Sequence, residues 1–263
     1  MNILQRIVER KKLRITEQKK VLSFEDIKKK ALAFGNKSDY LFYKKIKRLP
    51  HEPIKLIAEI KKASPLKGIL KEYDIEEMAN IYVSSGADAI SVITEEDFFL
   101  GNPQFLVTIK KNHPHIPVLR KDFIFDEYQV YESKLLHSDA ILLIASILTK
   151  EQCKTLYELT KSLGMDVLFE IHDEEDLDKS LFAGADIIGI NNRNLKTLQI
   201  DINTTFKLKK LIPEGKVIVS ESGISGKSHV QELIKQGVAA ILVGTSIVLS
   251  DNPAEKIKEL KFS

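Results

Sequence analysis

Ionisable side chains stand in close pairs at the ends of several apolar runs of this sequence. The run 56–58 leads into Glu59 and Lys61, and residues two apart in a strand project from the same face. Each charge of such a pair shifts the pKa of the other, so the two groups could exchange protons with a substrate or bind an anion. A structural ion pair is the alternative interpretation.

Two further ionisable residues, Lys121 and Glu170, end other apolar runs. A lysine that points into a cavity can act as a general acid, form a Schiff base or bind an anion, whereas a surface lysine would have no such role. A partly desolvated carboxylate has a raised pKa, which suits Glu170 to proton transfer. His172 follows two residues later and could assist, although a lone histidine more often has a structural role.

Amide, guanidinium, hydroxyl and glycine residues at later positions suit the binding of an anion. Asn191 and Arg193 share one face of an extended chain, and arginine can bind a carboxylate or phosphate through two hydrogen bonds. Glycine lets backbone N–H groups approach an anion, and a neighbouring hydroxyl adds a donor. Glycine–hydroxyl pairs of this kind are Ser222 with Gly223 and Gly244 with Thr245.

Eight apolar runs, typical of strands buried on both faces, carry these residues at their ends. The predicted strands are 55–60, 89–94, 117–121, 140–146, 166–170, 187–191, 216–220 and 240–244. Helical patterns such as 75–84 and 150–163 lie between them. Strand and helix therefore alternate, which predicts the α/β class and a (β/α)8 TIM barrel, with a doubly wound open sheet as the alternative.

A barrel of this kind explains the position of the candidate residues. Its active site lies at the carboxyl ends of the strands, where the apolar runs of this chain meet their polar residues. Phosphate is commonly bound by the loops after the seventh and eighth strands. The two glycine–hydroxyl pairs follow those strands, so the sequence predicts a phosphate site there.

The length of 263 residues fits a single barrel domain, 1–263, in which residues 1–48 form an N-terminal helical extension. Apolar residues make up 43% and charged residues 29%, as in ordinary soluble proteins. We expect a cytoplasmic protein, because the sequence contains no apolar stretch of about 18 residues and no signal-peptide pattern. Cys153 is the only cysteine, which excludes an intrachain disulfide and a cysteine-based metal cluster.

Positive charge is concentrated at the start of the chain. Residues 1–50 carry 15 lysines and arginines against 5 aspartates and glutamates. Aromatic residues are not interleaved with these charges and no nucleic-acid motif is present, so we interpret the charge as a solvated helical surface and expect neither a nucleic-acid nor a membrane partner. No phosphate-binding loop of the familiar nucleotide-binding kinds is found either.

Five segments resemble the indole-3-glycerol phosphate synthase family and occur in the family's order. They are EIKKASP at 59–65, SVITEEDFF at 91–99, LRKDFI at 119–124, IGINNRNL at 188–195 and SESGI at 220–224. The family closes the pyrrole ring of 1-(2-carboxyphenylamino)-1-deoxyribulose 5-phosphate in tryptophan biosynthesis, with loss of CO₂ and water. The resemblance implies this carboxy-lyase activity, a phosphorylated small-molecule substrate, and no metal or organic cofactor.

The resemblance also implies a role for each matching ionisable residue. Lys121 would be the general acid that protonates the ribulose carbonyl oxygen during ring closure. Lys61 would bind the substrate carboxylate and could contribute a later proton. Glu170 would transfer protons during dehydration, and Glu59 would pair with the lysines.

The binding residues implied by the resemblance fall into three groups. The first group orients the substrate hydroxyls and carboxylate, the second lines the polar part of the site with its phosphate, and the third forms a slot for the anthranilate ring. Asn191 and Arg193 form the first group. The second group is Ser64, Ser222, Gly223, Gly244 and Thr245, and the third is Pro65, Phe99 and Phe123.

Two residues depart from the family pattern. Leu66 and Asn102 stand where the family usually has serine. Neither change removes a proton-transfer group, so we expect an altered substrate affinity with the chemistry retained. We expect a monomer, and other enzymes of the tryptophan pathway are candidate partners.

Three other functions compete with this interpretation. A phosphoribosylanthranilate isomerase would use a cysteine and an aspartate as acid and base, but Cys153 lies in a helical pattern. An aldolase-type enzyme could form a Schiff base through Lys61 or Lys121. A regulatory barrel would keep the phosphate site and lack the acid and base groups.

Overall fold

The computed structural model describes residues 3–35, 40–65, 67–195 and 197–262. Eight parallel strands form a closed barrel, in which each strand pairs with its neighbour in the chain. The strands, here named β1 to β8, are Lys55–Ile60, Ala89–Ile93, Val118–Lys121, Ala140–Ile144, Asp166–Ile171, Ile187–Asn191, Val217–Glu221 and Ala240–Val243. Lys55 of β1 pairs with Ala240 of β8, so the sheet is closed and the doubly wound alternative is wrong.

Helices connect the strands and precede the barrel. They are α1 Ile3–Val21, α2 Phe24–Ala33, α3 Leu41–Ile46, α4 Ile75–Ser84, α5 Gln104–Asn112, α6 Glu127–Leu135, α7 Lys150–Ser162, α8 Glu174–Ala183, α9 Asn203–Lys209, α10 Lys227–Lys235, α11 Thr245–Val248 and α12 Pro253–Lys261. None of the helices in the described ranges has the length and apolarity needed to cross a lipid bilayer. The α/β class and the (β/α)8 TIM barrel predicted from the sequence are confirmed.

The N-terminal helices cover both ends of the barrel. Helix α3 closes the amino end, where Phe42 and Ile46 are fully buried in the inner core and the backbone N–H of Tyr43 donates to Asp166 at the start of β5. Helix α1 lies at the opposite end, because Lys11 contacts Asp122 just after β3. The extension is therefore packed on the barrel at two places.

A short hairpin interrupts the loop after β1. Ala63–Ser64 pairs antiparallel with Gly68–Ile69. Strands of two residues show no periodicity, so the sequence did not predict them. Leu66, one of the two departures from the family pattern, lies outside the described residues.

Candidate active site

Alternate residues of the barrel strands point into the interior and continue into the candidate site. Leu119 on β3 and Leu168 on β5 are buried in the inner core. Lys121 and Glu170 follow two residues later and share those faces, because side chains in a strand alternate with period two. The same spacing relates Ile57 to Glu59 and Val219 to Glu221, and twice that spacing relates Ile187 to Asn191, so these side chains also share the inner face.

Lys121 lies at the centre of a cluster of three carboxylates. Its Nζ is 2.7 Å from Oε2 of Glu221, 3.5 Å from Oε2 of Glu59 and 3.8 Å from Oε2 of Glu170. Lys61 approaches the cluster from the residue just after β1, with its Nζ 2.8 Å from Oε1 of Glu59. All three carboxylates are buried, so their charges interact strongly with the ammonium groups.

The mutual contacts shift the pKa values of the cluster. Burial alone would lower the pKa of Lys121, but the charges of Glu221, Glu59 and Glu170 outweigh it and raise that pKa above its ordinary value. Burial alone would raise the pKa of Glu170, but the contact with His172 and the charge of Lys121 lower it. At neutral pH the site therefore holds a protonated lysine beside an ionised glutamate.

Glu221 is a member of the site that the sequence interpretation missed. Burial raises its pKa, and the neighbouring charges of Glu170 and Glu59 add to the shift although Lys121 opposes it. Its Oε1 is buried and has no hydrogen-bond partner among the described residues. The available signal was its position, because it ends an apolar strand on the same face as the buried Val219.

Two glycines provide the space that the carboxylates occupy. A Cβ atom added to Gly244 would lie 2.5 Å from Oε1 of Glu59. A Cβ atom added to Gly189 would overlap Oε1 of Glu221. Gly244 therefore has a steric role beside Glu59 in addition to its proposed place in the phosphate loop.

Replacing Gly189 with alanine should disturb the lysine–carboxylate cluster. The new methyl group displaces the Glu221 carboxylate from Lys121, so we expect a lower kcat and a loss of about 1–3 kcal/mol in the free energy of unfolding, as for other overpacked interiors. Steady-state kinetics and chemical denaturation measure the two effects. The matched control is Gly226→Ala, where the nearest heavy atom to the added Cβ is 3.5 Å away; kcat should be unchanged, and the weaker helix cap should cost less than about 1 kcal/mol. Wild-type values for both variants would contradict the steric role of Gly189.

A cavity of about 650 Å³ opens at the carboxyl ends of the strands. Phe99 and Phe123 line it with their ring centroids 6.3 Å apart and their planes tilted by 38°, and Pro65 lines it as well. Asn102 is exposed and accepts a hydrogen bond from the backbone of Gln104 at the start of α5, away from the cavity lining. Every predicted site residue lines the cavity: Glu59, Lys61, Ser64, Pro65, Phe99, Lys121, Phe123, Glu170, Asn191, Arg193, Ser222, Gly223, Gly244 and Thr245.

The polar end of the cavity is formed by the loops after β7 and β8. Ser222 and Gly223 both have positive φ angles, 67° and 78°, which turn the chain sharply after β7. The buried side chain of Asn192 holds this turn, because its Nδ2 donates to Ser222 O at 3.0 Å and to Ser220 Oγ at 3.1 Å. Asn192 is a second residue whose contribution the sequence interpretation missed.

The first turns of α1 complete the cavity wall. Ile3, Leu4 and Ile7 line its mouth. Further along this helix, the Nζ of Lys11 lies 2.9 Å from Asp122 and 2.9 Å from Glu96, which anchors α1 to the loops after β3 and β2. The N-terminal extension therefore contributes directly to the candidate site.

A closed parallel barrel with an ionisable cluster at the carboxyl ends of its strands defines a (β/α)8-barrel enzyme. Solved structures share this fold at low sequence identity. The 3-hexulose-6-phosphate synthase from Salmonella typhimurium superposes with a TM-score of 0.65 and 18% identity, covering 79% of this chain and 96% of that chain. A KGPDC structure from Streptococcus mutans gives a TM-score of 0.59 and 15% identity, over 80% of this chain and 96% of that one.

Sequence comparison is more specific than fold comparison. The family model for indole-3-glycerol phosphate synthase matches residues 4–260. Proteins of that name are 44% identical in Endomicrobium trichonymphae, over 98% of this chain and 99% of that protein, and 45% identical in Thermoanaerobacter pseudethanolicus, over 98% and 96%. The chain belongs to the indole-3-glycerol phosphate synthase family, the carboxy-lyases that form indole-3-glycerol phosphate in tryptophan biosynthesis.

Proposed function

We propose that this chain closes the pyrrole ring of 1-(2-carboxyphenylamino)-1-deoxyribulose 5-phosphate at the cavity described above, and that Lys121 is the principal acid. The observation that carries the proposal is the position of Lys121 among three buried carboxylates at the base of that cavity. Ring closure joins an aromatic carbon to the ribulose carbonyl carbon. The carbonyl oxygen becomes an alkoxide unless a positioned acid protonates it.

Lys121 meets the requirements of that acid. Its raised pKa keeps it protonated before the reaction, and an alkoxide is basic enough to take the proton. Loss of CO₂ from the ring carbon then restores aromaticity in the benzene ring. A neutral amine is required for a Schiff base, so the same raised pKa disfavours the aldolase-type alternative at Lys121.

Dehydration requires a proton to be removed and a hydroxyl group to leave. In our proposal Glu170 transfers protons in this step, since it is ionised and lies 3.8 Å from Lys121. Lys61 binds the substrate carboxylate at first and can protonate the departing hydroxyl. Glu59 contacts both ammonium groups and holds them in place.

The two ends of the cavity suit the two ends of this substrate. The phenylalanine pair offers an apolar slot for the anthranilate ring, and the turn at Ser222 and Gly223 offers backbone N–H groups for the phosphate. Arg193 and Asn191 also line the cavity, and in our proposal they orient the substrate hydroxyls and carboxylate. The isomerase alternative lacks its acid, because Cys153 is fully buried in α7 and does not line the cavity.

The proposed function is tested by adding the carboxyphenylamino-deoxyribulose phosphate to purified protein and following indole fluorescence. We expect turnover without added metal or cofactor, and competitive inhibition by inorganic phosphate. Substrate binding without product would support a regulatory barrel. Trapping of a covalent adduct by borohydride would support Schiff-base chemistry.

We also propose that the enzyme is a cytoplasmic monomer and that residues 1–48 are an extension of the single barrel domain. The buried free thiol of Cys153 is consistent with a reducing compartment. Contacts of Lys11 and Tyr43 with the barrel support one domain. Light scattering after gel filtration would test the monomer, and co-purification with other enzymes of the pathway would test their association.

A further inference from the structure

His172 is a partly buried histidine beside the site with no role in the chemistry proposed above. It follows β5 directly, and its side chain is 12% exposed. Its Nε2 lies 3.2 Å from Oε1 of Glu170, and its Nδ1 lies 3.3 Å from Oδ2 of Asp176. Asp176 on α8 also accepts a hydrogen bond from the backbone N–H of His172 at 3.1 Å. The imidazole is thus held between two carboxylates.

The two neighbouring carboxylates favour a positively charged ring. A neutral imidazole has one N–H group and one lone pair, so one of its nitrogens would direct a lone pair at a carboxylate oxygen. A protonated ring places its positive charge beside both carboxylates: Nδ1 is hydrogen-bonded to Asp176, and Nε2 contacts Oε1 of Glu170 as an ion pair without hydrogen-bond alignment. Burial alone would lower the pKa of His172, but the hydrogen bond with Asp176 and the close contact with the Glu170 carboxylate raise it to about 10.

The two oxygens of Glu170 therefore face different cations. Oε1 lies against His172, and Oε2 lies 3.8 Å from Nζ of Lys121. A carboxylate held at both oxygens has little freedom to rotate, and both neighbours favour its ionised form. Further charged groups near these residues are Lys179, which interacts with Asp176 from the same helix, and Glu221, which interacts with Glu170.

We propose that His172, oriented by Asp176, is a positioning residue that fixes the Glu170 carboxylate and keeps it ionised in the free enzyme. The inference rests on the proposed function of Glu170 in proton transfer. His172 itself does not line the cavity, so it acts through Glu170 without touching the substrate.

The kinetic test compares His172→Gln with wild type across pH. Glutamine keeps a hydrogen-bonding amide but removes the positive charge, so the pKa of Glu170 should rise by about 1 unit or more. The acid limb of the kcat/KM profile should then move to higher pH, with kcat lowered more than KM is raised. His115→Gln, at an exposed histidine, is the matched control and should reproduce the wild-type profile. Circular dichroism at each pH shows whether the protein is folded, and only pH values at which both proteins are folded are compared.

A second variant tests whether Asp176 acts through the histidine. Asp176→Asn should shift the acid limb in the same direction by a smaller amount. The double variant should match His172→Gln, because removing the imidazole already removes the effect of its partner. If the pH shifts of the two single variants added in the double variant, Asp176 would not act through His172. An unchanged pH profile in His172→Gln would overturn the positioning role.

Histidine NMR tests the inference independently of turnover. In the wild type the His172 ring should remain protonated well above the ordinary histidine pKa, and Glu170→Gln should lower its pKa because one carboxylate is lost. An ordinary wild-type titration would overturn the inference even if the enzyme is active. A raised pKa of His172 in a protein without turnover would support its contacts with the carboxylates and contradict the proposed function.

Discussion

Replacing Lys121 with arginine should lower kcat by about 10²–10⁴-fold, the usual contribution of a positioned acid, while the protein remains folded. Arginine keeps a positive charge among Glu59, Glu170 and Glu221, so the carboxylates are not left unpaired. The guanidinium does not release its proton at any pH at which the protein is folded. Steady-state indole fluorescence measures kcat, and thermal unfolding confirms the fold.

The comparison requires a lysine of the same barrel outside the site. Lys55 begins β1 at the amino end, where its Nζ lies 3.2 Å from Glu52. Lys55→Arg should therefore retain the wild-type kcat. If Lys121→Arg also retained it, the proton would have to come from another group, and Lys61→Arg would be the next variant to measure.

Replacing Lys11 with methionine should lower the free energy of unfolding by about 3–5 kcal/mol, the range observed when one partner of a buried ion pair is removed. Burial alone would lower the pKa of Lys11, but the charges of Asp122 and Glu96 raise it, so the ammonium is charged in the folded protein. Without it, the side-chain partners of the fully buried Asp122 among the described residues are Arg120 and Thr94. Denaturation by urea measures the loss.

The neighbouring lysine provides the control for this stability effect. Lys12 is exposed and pairs with the exposed Glu9 on the same helix, so Lys12→Met should change stability by less than about 1 kcal/mol. Since α1 also lines the cavity mouth through Ile3, Leu4 and Ile7, Lys11→Met should raise KM as well. Equal stabilities for the two variants would show that the buried contacts of Lys11 do not anchor the helix.

The barrel was predictable because buried parallel strands leave a simple pattern in the sequence. Strand 187–191 was predicted with its observed bounds, since an apolar run ends there on an amide. Strand 140–146 was predicted two residues too long, because the apolar residues continue into the 3₁₀ helix Ala145–Ile147. Apolar character alone does not distinguish a strand end from a buried helical turn.

Site residues such as Lys121 and Glu170 were predictable because each ends an apolar strand. Residues whose role depends on contacts with distant parts of the chain were harder to predict. Glu221 lies 100 residues from Lys121 in the chain, and the run SESGI reads equally well as a turn. The wall formed by α1 was missed for the same reason. Helical periodicity shows which face of a helix is apolar, but it does not show which part of the barrel that face covers.

The most direct test of the central claim is a reaction with substrate labelled with heavy carbon at the ring carboxylate. Labelled CO₂ and indole fluorescence should appear together and in equal amounts with the wild-type protein, and neither should appear at a comparable rate with Lys121→Arg. Fluorescence or isomerised product without labelled CO₂ would contradict ring closure with decarboxylation. Persistent binding without either product would contradict the assignment of this cavity as the catalytic site.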